Sequence, residues 1–123
     1  IFDQRTLKSN ILKNLKSRNI EIHTRTTFLQ GLLLLERNKI PNKFLKFKKY
    51  FDNWYKLQKK IKMPKFEICL KYALSNKYID KVVVGIDSSK QFKMLIKSAG
   101  YLKPNINSVD ASKEINLINP SKW

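Results

Sequence analysis

Cysteine, histidine and glycine are scarce in this chain of 123 residues, which has one, one and three of them. A single cysteine, Cys69, excludes an internal disulfide and points to a reducing, cytoplasmic setting. With one histidine, His23, and no carboxylates at ligand spacing, no metal site is expected. The glycines stand alone at positions 31, 85 and 100, so neither a P-loop nor the Gly-rich dinucleotide fingerprint can be written. Long apolar runs are missing too. Leu32, Leu33, Leu34 and Leu35 are soon followed by Glu36, Arg37 and Lys39, which is too short a stretch to span a bilayer. The start carries no basic segment followed by an apolar one, and Ile1 stands where an initiator methionine is usual, so the chain reads as cut from a longer one.

Acidic residues are also few, nine against 26 Lys and Arg, for a formal charge of +17. Such a balance suits nucleic acid or an anionic surface. Its make-up argues otherwise. Arginine, the residue favoured for base edges and phosphate forks, occurs only at positions 5, 18, 25 and 37, and the lysines read as solvated surface.

Periodicity predicts an α/β order. Residues 1–5 look like a strand end, and residues 6–18 carry Leu7, Ile11, Leu12 and Leu15 at helical spacing. Residues 20–24 alternate as a strand, with Ile20, Ile22 and Thr24 on one face. Leu32 to Leu35 should form a short helix or an extended cover over the core, with a loop from Glu36 to Lys39. A long helix is expected over residues 42–61, with Phe44, Phe47, Phe51, Trp54 and Leu57 or Gln58 along one side. That stripe reads as a buried face, the alternative being a stacking platform for single-stranded nucleic acid. A further helix should cover residues 65–75, with Cys69 as a small buried hydrophobe. Val82, Val83 and Val84 form a β-branched run that suits a parallel strand covered on both faces. Residues 90–99 return to helix, with Phe92, Leu95 and Ile96 inward. The tail from Tyr101 reads as irregular apart from a helical turn near residues 111–115.

Both strands run into polar turns. Asp87, Ser88 and Ser89 are candidate N-caps for the last helix, and Arg25, Thr26 and Thr27 occupy the equivalent place after the first strand. Free N–H groups and a helix dipole at the carboxyl end of a strand form a phosphate site. If the strands lie side by side and parallel, both turns open on one edge. Two strands alone leave open edges and little to pack on, so the element list is incomplete and self-association through those edges is expected.

Residues 1–5 (IFDQR), 20–34 (IEIHTRTTFLQGLLL) and 82–88 (VVVGIDS) with Gln91 resemble the carboxyl-terminal part of bacterial aldo/keto reductases, in a branch found near surface-sugar biosynthesis genes. The resemblance covers essentially the whole chain. It implies a partial (β/α)8 TIM barrel, with residues 1–103 as its carboxyl-terminal strands and helices and residues 104–123 as an irregular tail packed on it. It also implies a reductase that uses NADP or NAD to reduce a small carbonyl compound. Arg25, Thr26, Phe28, Gln30 and Gly31 would hold the cofactor diphosphate from one side, with Thr27 where the family has proline. Gly85, Ile86, Asp87, Ser88 and Gln91 would hold the adenosine end. Met94 and Leu95 replace the Glu-Asn pair that the family commonly places at the adenine. Asp87 puts a negative charge where a 2′-phosphate would sit, which favours NADH unless Lys90 compensates. The family's catalytic tyrosine, lysine, aspartate and histidine come from earlier strands and match nothing here. Tyr50, Tyr55, Tyr72 and Tyr78 show no lysine pairing, and mid-strand His23 is expected to pack in a barrel interior.

Overall fold

The polar run after Thr6 sets the first feature of the computed structural model, which describes residues 1–100 and 105–123. The helix expected over residues 6–18 is divided into α1 (Arg5–Lys8) and α2 (Ile11–Ser17). Ser9 is extended at the break, where its hydroxyl donates to the Thr6 carbonyl and accepts from the Ile11 N–H. Serine and asparagine bond their own backbone more readily than they continue a helix, so Ser9 and Asn10 restart it.

Asn19, in the left-handed region at φ 56°, turns the chain into β1 (His23–Thr24). β1 pairs in parallel with β2 (Lys81–Val82), His23 opposite Lys81 and Thr24 opposite Val82. Both strands are shorter than their β-branched runs. Each has one neighbour, so few ladder bonds form, and Thr26 at φ 63° bends the chain away two residues past β1. Asp80 fixes the register from outside the ladder. Its carboxylate accepts from the Ile22 N–H at 2.7 Å and from Lys16 Nζ at 2.6 Å.

The crossover between the strands is helical. Residues Asn42–Phe47 form a 3-10 helix that leads into α3 (Lys48–Ile61), where a single α-helix was expected. At three residues per turn Phe44 and Phe47 eclipse on one face, and the α-helical period then aligns Phe51 and Trp54 with them. All four are buried, with Trp54 at 0% exposure. The aromatic stripe is therefore core and presents no stacking surface. Pro41 opens this element, and Lys62 in the left-handed region followed by Pro64 closes it. α4 (Lys65–Leu74) follows, burying Ile68, Cys69 and Leu70.

α5 (Ser89–Lys97) starts one residue before and ends two residues before the expected limits, and it contradicts its expected packing, since none of its residues is buried. Phe92 is 50% exposed and Ile96 59%, and Val83 beside β2 is 53% exposed. The valine run is thus covered on one face only. Nothing among the described residues lies beyond β2, so the apolar sides of β2 and α5 that would meet a next element stay open.

The tail is more ordered than its sequence suggests. It contains short 3-10 helices at Asn107–Val109 and Pro120–Lys122 around α6 (Ile115–Ile118), one helical turn beyond the place expected. Ile106, Val109, Ala111, Leu117 and Ile118 enter the core shared with Phe2, Leu33 and α3. Ala111 N–H donates to the Phe2 carbonyl at 2.9 Å, and buried Gln4 bridges the Ile1 and Ile106 carbonyls at 3.1 Å each. The boundary expected between residues 103 and 104 lies outside the described residues. These elements make an α/β fold, mostly helical, around a two-stranded parallel sheet. Among the described residues no helix is long and apolar enough to cross a membrane.

Candidate functional site

Leucines anchor the loop that follows β1. Leu29, Leu32 and Leu33 are buried, and the Leu33 carbonyl accepts from Trp54 Nε1 at 3.0 Å. Between β1 and these anchors the backbone turns sharply, with Thr26, Leu29, Gln30 and Gly31 all at positive φ between 50° and 79°. Only glycine adopts that region without cost, and a β-branched residue such as Thr26 is held there by its surroundings. The Oγ1 of Thr27 is buried, with no hydrogen-bond partner among the described residues. Such an atom is costly unless something else satisfies it.

The segment after β2 meets this loop. Val83 N–H donates to the Thr24 carbonyl at 2.8 Å, which keeps the two chains side by side past the strand ends. Gly85 then presents bare backbone, with no heavy atom of the described residues, its chain neighbours aside, within 4 Å of where a Cβ would stand. Neither packing nor a positive φ requires glycine there. At the start of α5, Ser88 Oγ accepts from Gln91 N–H at 3.2 Å, while Gln91 Oε1 accepts from Asp87 N–H at 2.8 Å. This reciprocal cap orients the helix start. It leaves the Gln91 amide NH2 and the N–H groups of Ser89 and Lys90 without a protein acceptor among the described residues.

The two segments enclose a cavity of about 570 Å³. Thr26, Phe28, Gln30 and Gly31 line it from the first loop, and Gly85, Asp87 and Gln91 from the second. Seven of the ten site residues expected from sequence therefore meet at one mouth. The other three do not line it. Arg25 faces an adjoining cavity of about 350 Å³ that shares Thr26 and Thr27 as its wall, Ile86 is exposed, and Ser88 is occupied as the helix cap. Leu34, Phe66, Met94 and Leu95 complete the larger cavity as an apolar wall. Of these, Phe66 carried no sequence signal beyond an inward position on its helix, and Met94 and Leu95 were visible only as departures from a polar pattern.

Hydroxyl, amide and backbone donors thus face a slot with one apolar side. Such a set suits an anionic group joined to a flat, weakly polar one. No protein-family model, curated protein or solved structure matches the chain.

Other candidates for chemistry fall away. Burial pushes the Cys69 thiol up to about 12, so it is no nucleophile near neutral pH. Burial likewise takes Tyr72 to about 12 and raises Tyr50 and Tyr55, the opposite of what a proton donor near neutrality needs. His23 does not pack in an interior as expected. It is exposed on β1, its Nε2 3.0 Å from Glu21 Oε1. No cluster of metal-binding side chains occurs among the described residues.

Proposed function

We propose that this chain is the cofactor-binding portion of an NAD(P)H-dependent aldo/keto reductase, acting on a small carbonyl compound with catalytic residues supplied from outside this chain. The observation that carries the reading is the convergence of two loops, nearly sixty residues apart in sequence, on one cavity at the carboxyl ends of parallel strands. That is where open α/β sheets and TIM barrels bind their ligands.

The residues present fit a dinucleotide. The Thr26 hydroxyl, the unpartnered Thr27 hydroxyl, the Gln91 amide and the open N–H groups of Ser89 and Lys90 can donate to diphosphate oxygens. Gly85 lets the ligand approach the backbone closely, since no side chain projects there. Phe66, Met94 and Leu95 offer an apolar wall to an adenine, which would be held by contact rather than by hydrogen bonds. When bound, the reduced nicotinamide supplies hydride to the carbonyl carbon. The open apolar faces of β2 and α5 agree with a partial barrel whose next elements belong to another part of the protein.

A basic nucleic-acid module is less well supported, because the aromatic stripe it requires is buried. Titrations with reduced dinucleotides, followed by nicotinamide fluorescence, and with single-stranded DNA at rising salt separate the two readings. Saturable dinucleotide binding that changes little with salt supports the reductase. Steeply salt-dependent DNA binding without dinucleotide binding overturns it.

A further inference from the structure

Two cavities meet at the wall formed by Thr26 and Thr27, and the proposed function uses only the larger. The smaller, of about 350 Å³, lies at the low end of the range for ligand pockets, so its occupant is small. Phe2, Leu29, Leu33, Cys69 and Ile118, all buried, give it an apolar interior. Three of its lining side chains can be charged near neutral pH: Asp3, His23 and Arg25. Two of them are already matched. Asp3 accepts from Arg5 Nε at 2.9 Å and from Arg5 Nη2 at 2.7 Å, and His23 Nε2 lies 3.0 Å from Glu21 Oε1. Arg25 makes neither an ion pair nor a side-chain hydrogen bond among the described residues, and it lines this cavity and not the larger one.

We propose that the smaller cavity binds a small monocarboxylate with an apolar body, its carboxylate on the Arg25 guanidinium and its body against Phe2, Leu29 and Leu33. The site does not rest on the dinucleotide reading. A guanidinium presents its N–H donors as a fork that meets both oxygens of a carboxylate. Thr27 Oγ1, buried with no partner among the described residues, belongs to the same wall and can donate a further bond when no dinucleotide is bound. The single unmatched cation sets the charge of the ligand. One carboxylate balances it, whereas a phosphate monoester brings between one and two negative charges, and the surplus is repelled by the Asp3 carboxylate in the wall. A neutral molecule leaves the guanidinium unmatched.

The test is a titration of the 15N-labelled chain, without dinucleotide, with benzoate, with its uncharged counterpart benzamide and with phenyl phosphate, followed by amide chemical shifts. Benzoate should bind saturably and move the amides of residues 72–76, which line only the smaller cavity, while those of α5, which lines only the larger, stay still. Benzamide should bind about tenfold more weakly or worse, and phenyl phosphate should bind more weakly than benzoate. Arg25→Gln should weaken benzoate by about tenfold or more, the scale of a lost charge-assisted hydrogen bond. Arg25→Lys, which keeps the charge and loses the fork, should fall between. A thermal melt confirms that each variant is folded. Benzoate binding that benzamide equals, that Arg25→Gln leaves unchanged or that moves α5 in place of residues 72–76 overturns the proposal. So does the lack of any saturable shift in the folded wild type.

Discussion

Gly85→Ala should move stability and affinity in opposite directions. The glycine is exposed, its φ lies outside the left-handed region, and a Cβ added there meets nothing within 4 Å. Under those conditions alanine restricts the unfolded chain without straining the folded one, a gain of about 0.4 to 1 kcal/mol. For a domain of this size that is a rise of roughly 2 to 6 °C in Tm. The new methyl, however, projects where a ligand in the cavity would approach the backbone. One misplaced carbon in a fitted pocket costs about 1 to 3 kcal/mol, or roughly 5- to 150-fold in affinity. Differential scanning fluorimetry gives the first quantity and a dinucleotide titration the second. Gly31→Ala is the contrast, because φ of 79° there strains any side chain, and its Tm should fall. If Gly85→Ala melts lower than wild type, or binds a dinucleotide as well as wild type does, Gly85 is not a bare wall of a ligand site.

Three further outcomes test the fold. Asp80→Asn should loosen the β1–β2 register, and its effect should depend on pH. The bonds from Lys16 and then from the Ile22 N–H hold the Asp80 carboxyl below its ordinary value of 3.8, so its stabilisation is present above that value and is lost as pH falls through the lower folded one. Wild type and variant should therefore differ in urea midpoint at neutral pH and converge in strong acid. Trp54→Phe should cost about 2 to 4 kcal/mol in chemical denaturation, since it shrinks a fully buried side chain and leaves the Leu33 carbonyl without its donor. Cys69 should react with a thiol reagent only after denaturant is added, and labelling of the native protein at the rate of a free thiol would contradict its burial.

What could be read in the sequence follows from which forces are local. The parallel pairing of the two β-branched runs, the limits of α4 and the burial of the stripe from Phe44 to Trp54 were legible because periodicity and strand composition report local geometry. Seven of the site residues that the resemblance implied share a cavity; of these, Thr26 and Asp87 were also marked locally, as polar residues at a strand end and before a helix start. Packing across elements was not legible. Phe92 and Ile96 have the spacing of an inward face but no covering element among the described residues, and His23 is exposed on β1. Nor does periodicity reveal that Ile106, Val109 and Leu117 seal the core, because short 3-10 turns carry almost no pattern of their own.

The proposal that the two strand-end loops, which line one cavity, share one diphosphate is tested most directly by amide chemical shifts of the 15N-labelled chain during titration with NADH. The amides of residues 26–31 and 85–91 should move together along one saturable curve, while those of α3 stay still. Shifts confined to one loop, or scattered over the lysine-rich surface without saturation, would contradict a shared site.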